Sequence, residues 1–227
     1  MNGTGAMLVY GGAHHLEGCT ERESRLCEAF ADCLVGCASS VIAALRPAAL
    51  FTFRLTAKGR ISMSYSEFRE LARTYRSELQ RRGITLELLG AQRHGRVALL
   101  IYRPQLIDKI LSCSETRSFL ERQGYDSSDA LRLMHQFAAR LAWFYTTLEQ
   151  GESVLDFPHE IGLLFGYPLE DVIGFMSGAH ETCHGLWRSY GDQKTAQRRF
   201  ATIRNAEKDR IERYRAGLPL YELFPLS

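Results

Sequence analysis

Leu26, Phe30, Cys33 and Cys37 follow one another at helical spacing behind Thr20-Glu-Arg-Glu23. That tetrad is a capping box, in which hydroxyl and carboxylate satisfy each other's free backbone donors. The same grammar returns at Ser64-Tyr-Ser-Glu67, with Tyr65, Phe68, Ala72, Tyr75 and Leu79 as the apolar stripe and Gly83 as the C-cap. Between the two, Arg46-Pro47 interrupts any helix, and residues 50–56 alternate apolar and polar as a strand does. Residues 84–89 and 96–103 read as two further strands joined by a turn at Arg93-His94-Gly95, and Pro104 ends the second. Short helical pieces come next. Ser127-Ser128-Asp129 then opens a long helix with Ala130, Met134, Phe137, Leu141, Phe144 and Leu148 on one side.

From Gly151 the pattern shortens. It predicts two brief helices, 158–165 and 168–176, each with proline in its first turn, and a short last strand over 186–190. Asp192 caps a basic amphipathic helix with Ala196, Phe200, Ile203 and Tyr214 inside, ending at Gly217 and Pro219. This order implies an α+β fold: a mostly antiparallel sheet covered by helices, expected on one face, with a helical C-terminal lobe. We expect a single domain over 1–227, made of an N-terminal helical segment (1–36), an α+β core (37–150) and the helical lobe (151–217).

Composition narrows the class without naming a reaction. Hydrophobic residues at 45% and charged residues at 24% are globular values. A net charge of 28 − 26 = +2 exerts no overall pull on nucleic acid or anionic lipid. The apolar piece at residues 7–10 lacks the charged start and length of a signal peptide. The run 97–102 is far short of the about 20 residues a spanning helix needs. Six cysteines in a chain of this length do not form a disulfide framework, so we expect reduced thiols and a soluble, cytoplasmic protein with no membrane partner.

The common catalytic fingerprints are missing. His159-Glu160 begins like a zinc-protease motif, but Leu163 stands where its second histidine belongs. Cys33 and Cys37, one turn apart, could share a metal, yet they fall on the apolar stripe, where thiols pack as small hydrophobes. His180, Cys183 and His184 form the densest group of soft ligands; a polar turn is the plainer reading, and no metal is assigned. Gly162, Gly166 and Val172 have helix-turn-helix spacing, but the second helix is acidic and apolar, so nucleic acid is not expected there. Charge is segregated: residues 151–187 hold six acids and no Lys or Arg, whereas 188–215 hold nine cations and four acids. The basic last helix offers a surface for the acidic pair or for a protein partner.

His159 is the leading candidate for chemistry. At the positive end of the 158–165 helix a neutral imidazole is favoured, able to ligate or accept a proton, with Glu160 beside it. Tyr102-Arg103 ends a strand, where Arg103 could receive an anion as a planar fork. Trp187 and Tyr190 are aromatics able to line a ligand.

These same residues carry a resemblance. Phe157-Pro-His-Glu-Ile-Gly162, with Gly166-Tyr-Pro168, Asp171-Val172 and Gly174-Phe175, resembles the signature of an uncharacterised family, domain of unknown function 3793, from anaerobic Gram-positive bacteria. Cys37-Ala38 leading to Pro47 and Leu50-Phe51, Tyr102-Arg103, and Trp187 with Tyr190-Gly-Asp192 are similar to its supporting motifs; Arg46, Leu186, Arg188 and Ser189 depart from them. The resemblance runs from about residue 37 to 200. It implies positions, not an activity or a cofactor.

Taken together, the residues predict a small-ligand or cofactor pocket in which Cys37, Tyr102, Arg103, His159, Glu160, Trp187 and Tyr190 converge, His159 serving as base or ligand and Arg103 as anion clamp. The alternatives are a non-catalytic adaptor that docks a partner protein through the acidic pair or the basic helix, and a DNA-binding regulator acting through the basic helix.

Overall fold

A computed structural model describes residues 20–56, 62–92, 95–150 and 157–225. The apolar piece at 7–10, Cys19, the turn residues Arg93 and His94, and the acids Glu152 and Asp156 lie outside them.

Both predicted capping boxes are present: Thr20 opens α1 (Glu21–Ile42) and Ser64 opens α2 (Tyr65–Gln80). Three strands follow the alternation: β1 (Ala48–Arg54), β2 (Thr85–Gln92) and β3 (Arg96–Tyr102). They form an antiparallel sheet in the order β1-β3-β2. The central strand β3 is buried from Val97 to Tyr102, and its two sets of side chains enter different cores. Val97, Leu99 and Ile101 meet the stripes of α1 and α2, while Ala98, Leu100 and Tyr102 meet α3 (Pro104–Leu111), α4 (Ser114–Arg122) and α5 (Ala130–Gln150). Helices therefore cover both faces of the sheet, not the one face expected. The continuous apolar run in β3 is the signature of a strand with no wet side. In β2 the register shifts between Leu88 and Gly90, a bulge that turns Leu89 into the α5 core.

The end of α1 explains a residue the sequence reading used otherwise. Ala44 has φ 57, its N–H reaches Val41 O, and Leu45 N–H reaches Ser40 O. This is the Schellman arrangement, in which glycine is usual because a Cβ opposes the left-handed conformation. Ala44→Gly is therefore expected to raise stability by about 1 kcal/mol, seen as a higher melting temperature. The last carbonyls of α1 are taken by Arg103, which donates from Nε to Val41 O (2.7 Å) and from Nη2 to Ile42 O (2.9 Å). Its Nη1 donates to Arg82 O at 3.1 Å. A cation on the negative end of a helix is the favoured placement.

Beyond α5 the chain forms a 3-10 turn (His159–Gly162), α6 (Leu169–Met176), a hairpin of β4 (Cys183–His184) and β5 (Arg188–Ser189), and α7 (Gln193–Arg215), which packs on α1. The helix expected over 158–165 is only that single turn. No helix among the described residues is long and apolar enough to cross a membrane.

Candidate functional site

The C-terminal lobe is organised around a buried carboxylate. Asp171, in the first turn of α6 and 2% exposed, accepts four donors. Trp187 Nε1 lies 2.6 Å from Oδ2, while Ser189 Oγ (3.0 Å), Tyr190 N (2.6 Å) and Gly191 N (3.3 Å) converge on Oδ1. A buried carboxylate persists only when its lone pairs are filled in this way. The result is that α6 clasps the β5 strand and fixes the Trp187 ring. Gly174 lets the clasp close, because a Cβ there would overlap the Tyr190 ring.

Trp187 stacks on Tyr167 with ring centres 4.7 Å apart, and a guanidinium lies near each ring. Arg46 lies 5.6 Å from the Tyr167 centre and Arg199 lies 5.6 Å from the Trp187 centre. Both arginines also tie the preceding turn: Arg46 Nε donates to Phe165 O at 2.9 Å, and Arg199 Nη2 donates to Gly166 O at 2.5 Å. Tyr167 can descend onto the 3-10 turn because position 162 is glycine; a Cβ there would lie 2.9 Å from the Tyr167 ring and 3.0 Å from Val172.

On one side of this aromatic wall is a cleft of about 310 Å³ between the 3-10 turn, α6 and the hairpin. His159 stands at its rim, exposed, with its ring 4.9 Å from that of Phe175 and 5.6 Å from that of Phe157. Trp187 and Tyr167 supply the wall, and His184 and Arg188 the opposite rim. Glu181 lies 3.5 Å from Arg188 Nε and 3.9 Å from His184 Nδ1.

Of the residues expected to converge, only His159 and Trp187 line this cleft. Glu160 points the other way: it is buried and accepts from Tyr125 Oη at 2.5 Å and Arg140 Nη1 at 3.3 Å. Burial, then the bond to Glu160, pushes the Tyr125 phenol up. Tyr102 is fully buried in the sheet and donates to Glu87 at 2.7 Å, which together push its phenol up. Arg103 is occupied by carbonyls, so the anion clamp expected of it is instead a helix cap. Cys37 is exposed on α1, held down at about 7 by a hydrogen bond from Cys33, which is half-buried against the core. Tyr190 covers Gly174 and belongs to the clasp. The helix whose dipole was to act on His159 is missing, since one 3-10 turn replaces it.

Sequence reasoning missed His184 and Arg188 as rim residues and Asp171 as the hub. The signal for Asp171 was an acid set directly before Val172 and Ile173 in a helix start; it entered only as one of six acids and as part of the family-like motif. Among the described residues no group of three or more His, Cys, Asp or Glu could hold a metal, so His180 and Cys183 do not join His184 in one. Among the described residues Cys27, Cys33, Cys37, Cys113 and Cys183 form no disulfide.

Fold and site together define an α+β protein whose C-terminal lobe carries an aromatic-walled cleft. The chain belongs to the family described as "Protein of unknown function (DUF3793)", whose sequence model matches residues 34–224. Comparison with curated proteins and with solved structures finds no match.

Proposed function

We propose that the His159 cleft binds a small molecule with a flat apolar body and an anionic group. The observation that carries this reading is the pairing of an aromatic wall, Tyr167 and Trp187, with a rim of two imidazoles and a guanidinium: His159, His184 and Arg188. Flat rings pack edge-to-face against such a wall, and an anion replaces Glu181 as the partner of Arg188. A volume of about 310 Å³ is at the small end of ligand pockets. His159 is placed to hydrogen-bond the ligand, and no reaction step is assigned to it.

The test is titration of the full chain with a naphthalene sulfonate, a flat anionic fluorophore. Saturable one-site binding is expected, weakened at least about tenfold by His159→Ala or Arg188→Gln. Binding unchanged in both variants overturns the reading.

A second reading, a docking face for a partner protein, is favoured by Ile173, Phe175 and Met176 on α6, each 43% exposed. It differs from the adaptor expected from charge, because Asp171 and Glu160 are buried and do not present an acidic surface. Ile173→Ser and Met176→Ser separate the two readings: neither residue lines the cleft, so neither variant alters dye binding if the cleft is the site.

A further inference from the structure

On the other side of the Tyr167 wall lies a second cleft, of about 340 Å³, between α3, the N-terminus of α4 and the Gly166 turn. Its apolar lining includes Pro47, Leu106, Ile110 and Leu169, and its charged lining consists of Lys109 and Arg199, with no Asp or Glu among the described residues that line it. Asp108, next to Lys109, is turned to the Ala130 N–H at 3.2 Å. Arg46, whose Nε is on Phe165 O, adds a like charge near Arg199. Burial disfavours the Arg199 cation, and the favourable charge of Asp171, itself opposed by Arg46, offsets only part of that. Two cations lining a cleft that has no carboxylate among its described lining residues, in a space large enough for a small molecule, favour a negative group there.

We propose that this second cleft, independent of the His159 cleft, is an oxyanion site for a small phosphate- or carboxylate-bearing molecule, held by Lys109 and Arg199 against the Pro47–Ile110 wall. Lys109 acts as a point charge and Arg199 as a fork whose position is set by Gly166 O. Tyr167 separates this anion from whatever occupies the neighbouring cleft.

Cys113 gives the site a built-in reporter. It lines the cleft and is exposed, and the N–H and hydroxyl of Thr116 hold its thiol below the ordinary thiol range, outweighing the charge of Glu115. The Cys113 thiolate displaces iodide from iodoacetate, an anion, and from iodoacetamide, which is neutral. The ratio of the two rates therefore reads the local potential. Measured peptide by peptide in the full chain, the iodoacetate-to-iodoacetamide ratio at Cys113 is expected to exceed that at exposed Cys37 at least about threefold. Lys109→Gln, on the exposed side of α3, is expected to bring the two ratios together. Millimolar pyrophosphate or succinate is expected to slow alkylation at Cys113 alone, and the more protective of the two identifies the phosphoryl or carboxylate class. Equal ratios at Cys113 and Cys37, with no effect of Lys109→Gln and no protection by either anion, overturn the proposal.

Discussion

Asp171→Ala is expected to lower the stability of the chain by about 4 kcal/mol, read as a shift of the urea midpoint. The carboxylate is the acceptor for the Trp187 indole, the Ser189 hydroxyl and the Tyr190 and Gly191 amides, and alanine leaves all of them in a site only 2% exposed. Hydrogen bonds to a charged group contribute about 1.5–3 kcal/mol, and each stranded buried donor adds a penalty of about 1–3 kcal/mol. The sum exceeds 4 kcal/mol, but water entering the vacated space returns part of it. Asp171→Asn keeps one carbonyl oxygen and aims an NH₂ at donors, so about half the loss is expected. Gln197→Ala, at an exposed position of α7, is the control and should change stability by no more than about 0.5 kcal/mol. A loss below 1 kcal/mol for Asp171→Ala would show that the hairpin is held by something other than this carboxylate.

Arg103→Ala is expected to lose about 3 kcal/mol while leaving dye binding at the His159 cleft unchanged. The guanidinium joins the end of α1 to the turn after α2 through three carbonyls, and burial already disfavours its charge. Charged hydrogen bonds of this kind set the magnitude. Lysine cannot reproduce the fork, so Arg103→Lys recovers only a minor part of the loss. The opposite pattern, wild-type stability with lost ligand binding, would return Arg103 to the role of anion clamp.

The fold was readable where local chemistry leaves one choice. Thr20 with Glu23 and Ser64 with Glu67 declared their helices, and the alternation in residues 50–56 declared a strand. The placement of helices on both sides of the sheet was also written in residues 97–102, whose unbroken apolar run was read as a strand and as too short to span a membrane but not as buried on both faces. At the site, periodicity carried less. His159 and Trp187 were found because they sit in distinctive motifs, but side-chain direction in a 3-10 turn cannot be read from spacing. There, adjacent residues 159 and 160 diverge into a cleft and a core. Arg103 shows the same limit from another side. A guanidinium at a strand end suits an anion or a helix terminus equally well, and the choice depends on where α1, sixty residues earlier in the chain, comes to lie. Likewise, two of the six acids counted over 151–187, Glu160 and Asp171, lie inside while Glu170 and Glu181 are exposed, because a count of charges carries no information about burial.

The bulge in β2 bears on what that edge of the sheet offers to another strand. A three-stranded antiparallel sheet leaves an outer edge on β2, and an uninterrupted edge is a template for a strand from another molecule. The extra residue at Leu89 throws the N–H and C=O groups on either side of it out of phase. On this edge an incoming strand could follow only Thr85 to Leu88 before falling out of register.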